Sequence, residues 1–138
     1  MTRFALDASV TLSWILDNPV VPYANRVKQD LLNGARAVVP PLWHAEVANV
    51  LAISERRRML TTADVDAALH SLDQIVQQGI ETEDGVTLLR TAFNTARTHG
   101  LSAYDGIYLD LAQRLNLPLA TLDRALKAAA ARAGVQLL

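Results

Sequence analysis

Short apolar runs alternate with helical segments along this chain, and that alternation limits the possible fold more than any other feature of the sequence. Strand-like runs occur at FALD, ARAVVP, IETE, LPLAT and VQLL. They show little alternation of apolar and polar residues, which is typical of strands buried on both faces. Because helical segments connect them, the sequence predicts an α/β fold with a parallel sheet covered by helices on both faces.

The helical segments have recognisable beginnings and ends. Pro22 can open a helix that ends at Gly34, and Thr61 or Thr62 can cap one that ends at Gly79. The other helices are predicted from residue 8 to Leu16, over 42–58, over 85–100, from Ser102 to Leu115 and over 123–134. No repeat, linker or low-complexity segment interrupts them.

Composition narrows the class of protein. The 138 residues are 51% hydrophobic and 20% charged, as expected for a single globular domain over 1–138. With 13 basic and 14 acidic residues, any contact with nucleic acid must come from a local patch. The absence of cysteine, of a signal peptide after Met1 and of a membrane-length apolar run predicts a soluble, cytoplasmic protein.

Four carboxylates fall where predicted strands end or the next helices begin. Asp7 ends the first strand, Asp123 follows LPLAT, and Glu46 and Asp105 lie in the first turns of their helices. Ligands of an open parallel sheet bind beyond the carboxyl ends of its strands. We therefore expect the four side chains to approach one edge of the sheet.

Two of these acids lie on apolar helix faces. Residues three and four positions apart share a face, so Glu46 lies with Trp43 and Val50, and Asp105 lies with Tyr108 and Leu109. No Lys or Arg occupies the corresponding positions around either acid, and converging carboxylates repel one another unless a cation is present. Oxygen ligands alone favour a hard cation, so we predict a Mg²⁺ or Mn²⁺ site.

Helix capping is the alternative interpretation of three of these acids. Ser102 with Asp105 fits a capping box, Thr121 with Asp123 fits a turn and cap, and Asp7 can cap the helix after the first strand. Both interpretations stay open at these three positions. Glu46 lies inside its helix on the apolar side, where capping does not account for it.

Together these motifs resemble the PIN-domain family, and more narrowly the bacterial VapC-type toxins. The resemblance covers essentially the whole chain in the same order. It is carried by D-x-S at Asp7 and Ser9, by Glu46, by YDGIYLDLA around Asp105, and by T-x-D at Thr121 and Asp123.

The resemblance implies a three-layer α/β/α sandwich with Mg²⁺- or Mn²⁺-dependent endoribonuclease activity. It implies that the four acids form the metal site and catalytic centre, supported by the hydroxyls of Ser9 and Thr121. It further implies an RNA substrate, a cognate antitoxin and a homodimer. Gly106 departs from the family pattern, where alanine is more familiar after the aspartate, and weakens the helix start slightly.

Two further charged residues, each close in sequence to one of the four acids, are assigned different roles. Arg124, beside Asp123, is a candidate for contact with RNA phosphates. Asp110 follows Asp105 by five positions, about 140° around a helix, so we expect it to point away from the other acids.

Two other functions suit an α/β chain with an aspartate after its first strand. A phosphoacceptor domain of phosphatase type needs a second aspartate where this chain has Ser9. A receiver domain needs a lysine beyond a late strand, and the lysines here are Lys28 and Lys127. The residues of this chain therefore do not fit a phosphoacceptor domain of either type. A catalytically weak binding module with the PIN fold stays open as an alternative. Metal-dependent RNA cleavage separates that module from an enzyme.

Overall fold

Four parallel strands form one sheet in the computed structural model, which describes residues 2–85 and 87–138. The strands are β1 (Arg3–Leu6), β2 (Arg36–Val39), β3 (Ile80–Thr82) and β4 (Leu119–Ala120). Their order across the sheet is β3-β2-β1-β4, and every pairing is parallel. Ala5 of β1 is in register with Val38 on one side and Leu119 on the other, so β1 is a central strand.

Seven helices connect and flank these strands within the described residues. They are α1 (Ala8–Leu16), α2 (Pro22–Leu32), α3 (Pro41–Arg56), α4 (Thr62–Gly79), α5 (Leu89–His99), α6 (Ala103–Leu115) and α7 (Arg124–Arg132). Local sequence accounts for several boundaries. Pro22 and Pro41 occupy first-turn positions, and Thr61 forms a reciprocal capping box with Asp64. Gly100 ends α5 in the left-handed conformation that glycine adopts most readily.

The helices form two layers around the sheet. Helices α1 to α4 contact one another, whereas α6 contacts α5, α7 and β1. Because the sheet is covered on both faces, the central strand β1 is apolar after its exposed first residue, Arg3: Phe4, Ala5 and Leu6 are fully buried. This arrangement confirms the predicted α/β/α sandwich with a parallel central sheet.

Two predicted elements differ from the structure. The helix predicted over 85–100 begins only at Leu89, and Val86 of the predicted segment lies outside the described residues. Extended pairing continues past β3 instead, since the Glu83 N–H donates to the carbonyl of Val39 at 2.8 Å. The terminal strand predicted at VQLL is reduced to an isolated bridge between Leu119 and Leu137, because β4 is only two residues long.

Helices α5 and α6 pack closely at the glycine that departs from the family pattern. A Cβ on Gly106 would lie 3.3 Å from the backbone nitrogen of Ala96. The glycine therefore allows α6 to approach α5 where α6 begins. None of the helices among the described residues has the length and apolar character needed to cross a bilayer.

Candidate active site

Asp7 lies at the carboxyl end of β1 and is almost completely buried. It occupies the N-cap position of α1, yet its carboxylate caps no backbone N–H. Its Oδ2 atom instead accepts hydrogen bonds from the Ser9 hydroxyl at 2.6 Å and the Thr121 hydroxyl at 2.7 Å. Side-chain capping at Asp7 was therefore the wrong alternative: this carboxylate is held by hydroxyl groups from two parts of the chain.

Ser9 and Thr121 also connect the β1–α1 junction to the β4–α7 junction. The Ser9 hydroxyl accepts from the backbone N–H of Leu122 at 2.9 Å, and the Thr121 hydroxyl accepts from that of Asp123 at 3.0 Å. Each hydroxyl thus donates to Asp7 and accepts from a backbone N–H of the β4–α7 junction. This network fixes the relative position of the first and last predicted acids of the site.

Asp123 both caps a helix and contributes charge to the site. Its Oδ1 atom accepts from the Leu126 N–H at 2.8 Å, which is the predicted cap of α7. Its charge also helps to raise the pKa of Asp7 and of Asp105. The two interpretations of Asp123 are therefore compatible, because one oxygen can cap α7 while the charge of the carboxylate still acts on Asp7 and Asp105.

Glu46 projects from α3 and is held by a buried tyrosine. The Tyr108 hydroxyl donates to Glu46 Oε1 at 2.6 Å, and the Tyr108 side chain is fully buried. Partial burial raises the pKa of Glu46, the Tyr108 hydrogen bond opposes the rise, and the charge of Asp7 adds to it. Sequence reasoning placed Tyr108 only on an apolar face. The sequence signal for a role of Tyr108 in the site was its position one turn after Asp105, on the same face of α6.

Asp105 lies in the first turn of α6, and the pKa of its carboxyl is strongly raised. The Ser102 hydroxyl accepts from the Asp105 N–H at 3.1 Å, so the serine half of the predicted capping box is present. Desolvation, followed by the charges of Asp123, Asp7 and Glu46, raises the pKa of Asp105 to about 6. Asp105 is therefore within electrostatic reach of the other three predicted acids.

The donor atoms of the site suit the divalent cation that the sequence predicts, although they do not form a direct metal cage within the described residues. Across residues 2–85 and 87–138, no three His, Cys, Asp or Glu side chains are grouped closely enough to hold a metal ion directly. The chemistry nevertheless fits a hard divalent cation: the ligands are oxygens, and repulsion between the acids contributes to the raised pKa values of Asp7, Glu46 and Asp105. A cation that keeps part of its water shell would meet such a set through water as well as directly.

The structure also places the two charged residues that were assigned other roles. Asp110 pairs with Arg114 at 2.7 Å, as expected for a side chain that points away from the acidic cluster. Arg114 in turn contacts Glu83, which follows β3. Arg124 is the first residue of α7 and is exposed, next to Asp123.

The fold and the site together define a class of protein: α/β/α domains with acidic side chains at the carboxyl edge of a parallel sheet. The sequence matches the PIN domain family over residues 4–132, and the chain belongs to that family. It is 33% identical over 81 residues to Ribonuclease VapC3 of Pyrobaculum aerophilum, an alignment that spans 59% of this chain and 61% of that relative.

Two solved structures share the fold. The crystal structure of PAE2754 from Pyrobaculum aerophilum superimposes with a TM-score of 0.68 at 23% identity, covering 93% of this chain and 84% of the other. That of FitAcB from Neisseria gonorrhoeae gives a TM-score of 0.64 at 20% identity, covering 98% and 96%. These likenesses confirm the predicted PIN fold.

Proposed function

We propose that this protein is a Mg²⁺- or Mn²⁺-dependent endoribonuclease that hydrolyses RNA phosphodiester bonds. The observation that carries the proposal is the set of four carboxylates, Asp7, Glu46, Asp105 and Asp123, three of which have pKa values raised in part by the charge of another member of the set. Membership of the PIN family and the resemblance to a relative named as a ribonuclease support it.

The side chains of the site would act through binding and orientation. The four acids would hold the cation, which when bound supplies an activated water and polarises a phosphoryl oxygen. Ser9 and Thr121 hold the Asp7 carboxylate in one orientation through two short hydrogen bonds. The raised pKa of Asp105, about 6, makes this carboxyl a candidate for orienting the attacking water and accepting its proton.

The biological role follows from the resemblance to VapC-type toxins. We propose that the protein is the toxin of a type II toxin–antitoxin pair, that a cognate antitoxin blocks the site, and that the toxin acts as a homodimer. A cytoplasmic location suits an RNA substrate and a sequence without cysteine. Arg124, exposed beside the acids, remains a candidate for contact with RNA phosphates.

A PIN-fold binding module with little catalytic activity is the second candidate function. The observation that favours it is that, in the described part of the chain, no three acidic side chains form a direct metal cage. Such a module would bind RNA or a protein partner without cleaving phosphodiester bonds.

Cleavage of RNA by the purified protein distinguishes the two functions. We expect the protein with Mn²⁺ to cut single-stranded or loop RNA, since unpaired bases are the usual targets of sequence-specific readers. EDTA should stop the reaction, and Asp7→Asn, purified in the same way, should lack it. Cleavage that continues undiminished in EDTA, or that Asp7→Asn retains at the wild-type rate, would contradict the proposal.

A further inference from the structure

A tyrosine flanked by two cations lies beside the acidic site. Tyr23, in the first turn of α2, has the Arg26 guanidinium carbon 5.6 Å from its ring centroid. The Lys127 Nζ atom of α7 lies 5.8 Å from the same centroid. Both distances are in the range of cation–π attraction, so the ring holds the two cations near each other without neutralising them.

This cluster lies next to the β4–α7 junction, where two residues of the acidic site are located. Burial raises the pKa of Tyr23, while the nearby backbone of Thr121 and the charge of Arg26 oppose that rise. The Tyr23 hydroxyl is thus adjacent to Thr121, whose own hydroxyl donates to Asp7. Lys127 lies one turn after Asp123, and its N–H donates to the Asp123 carbonyl at 2.9 Å.

A third cation extends the cluster along α7. Arg124 and Lys127 are three residues apart, so they share a face of that helix. Arg26 and Arg124 are exposed, and Lys127 is partly exposed. We call Tyr23, Arg26, Arg124 and Lys127 the cationic rim.

The charges of the cationic rim are available to an external anion. Over the described ranges 2–85 and 87–138, the ion pairs formed are Arg3 with Glu81 and Arg114 with Glu83 and Asp110, and none involves the rim. Nor is any rim residue a cause of the altered pKa of Asp7, Glu46 or Asp105. The cations of the rim therefore do not neutralise the acids.

We propose that the cationic rim binds the backbone phosphates of the RNA strand on one side of the scissile bond. The inference rests on the proposed nuclease function and adds to it the direction in which the strand leaves the site, towards α2 and α7. RNA is favoured over an acidic peptide because a strand carries regularly spaced charges. It can therefore place one phosphate at a cation bound by the acids and its neighbours on the rim.

The test measures RNA binding without cleavage. A labelled single-stranded RNA of about 12 nucleotides, within the site size typical of single-strand binders, is titrated in EDTA and followed by fluorescence anisotropy. Arg26→Gln and Lys127→Gln remove the charges and keep much of the side-chain stems. Arg36→Gln is the matched control, because Arg36 is an exposed arginine at the amino end of β2, on the opposite edge of the sheet.

Each rim substitution should lower the slope of log K against log salt by about 0.7, and the double substitution by about 1.4. At about 0.1 M salt each lost contact corresponds to about a 5-fold rise in Kd. Arg36→Gln should leave both quantities unchanged. The thermal shift caused by Mn²⁺ should be the same in the rim variants as in wild type, because that shift reports the acids rather than the rim.

Three results would overturn the inference. The first is a double variant with the wild-type slope and Kd. The second is an Arg36→Gln protein that weakens binding as much as the rim variants do. The third is a glutamate-rich peptide that binds more tightly than RNA with the same sensitivity to rim substitutions, which would assign the rim to a protein partner. Failure of the proposed function is distinguishable, since it would appear as a missing Mn²⁺ shift and missing cleavage.

Discussion

Replacing Tyr108 with phenylalanine removes the one atom that links the buried tyrosine to the acidic site. The hydroxyl donates to Glu46 at 2.6 Å, and a hydrogen bond to a charged group contributes about 1.5 to 3 kcal/mol to stability. Glu46 is only partly buried, so water can replace the lost donor and the lower figure of about 1.5 kcal/mol applies. For a chain of 138 residues this predicts a melting temperature about 6 °C lower.

The loss should depend on pH in a defined direction. The Tyr108 hydroxyl favours ionised Glu46 and so lowers a pKa that burial raises. Destabilisation by Tyr108→Phe should therefore be complete at pH 8, where Glu46 is ionised, and should shrink as the pH falls towards 4 and Glu46 becomes protonated. Urea unfolding at both pH values measures this destabilisation. RNA cleavage with Mn²⁺ should also slow, because the hydroxyl no longer holds Glu46 in place.

Tyr104→Phe is the matched control for this measurement. Tyr104 lies on the same helix, is 62% exposed and makes no side-chain hydrogen bond within the described residues. Its substitution should change neither stability nor cleavage. Wild-type stability of Tyr108→Phe at pH 8, or an equal loss of stability at pH 8 and pH 4, would refute the role given to the hydroxyl.

Further predictions concern the other three acids. With Mn²⁺ at about 100 times its Kd, wild type should gain about 2.7 kcal/mol, whereas an Asp7→Asn protein with about 100-fold weaker affinity should gain only about 0.4 kcal/mol in the same thermal melt. Equal shifts would count against Asp7 as a ligand. Because the pKa of Asp105 is raised to about 6, metal-free stability should fall as the pH rises from 4 to 6. For a fully buried carboxyl this shift in pKa would lower the stability of the protein by about 3 kcal/mol. Solvent screening of the half-buried Asp105 side chain reduces the loss of stability to about 1 kcal/mol. Asp105→Asn should flatten the profile in urea titrations, and an unchanged profile would contradict the assignment. Asp123→Asn should keep the cap of α7 yet reduce cleavage, whereas Asp123→Ala should also cost about 1 kcal/mol of stability. Cleavage by Asp123→Asn at the wild-type rate would mean that Asp123 only caps α7 and has no part in catalysis.

Most of the fold is predictable because its signals are local. The proline at the start of α2 and the Thr61 capping box act within one turn, and both helices begin where the sequence predicts. The start of α5 is not predictable in this way. The segment before Leu89 follows Glu83, which pairs with the sheet through Val39 and with α6 through Arg114, and both contacts are distant in sequence.

The candidate site is likewise predictable only where its signals are local in sequence. The four acids were found from their positions at strand ends and on helix faces, which are properties of single segments. The hydrogen bond from Thr121 to Asp7 spans 114 residues, and that from Tyr108 to Glu46 spans 62. Sequence reasoning alone does not reveal such pairs, and a tyrosine on an apolar stripe has the same pattern whether its hydroxyl is solvated or bonded to a carboxylate.

The pairing of β1 with β4 has a consequence for synthesis on the ribosome. The Asp7 N–H donates to the Ala120 carbonyl, so the second neighbour of β1 is made more than a hundred residues after β1 itself. Until then one edge of β1 stays open, and contacts of such long sequence separation form slowly. The Asp7 carboxylate also lacks its Thr121 donor during this time. The complete acidic edge therefore assembles only after β4 and Asp123 have been translated, so a growing chain that ends before them lacks the full set of acids.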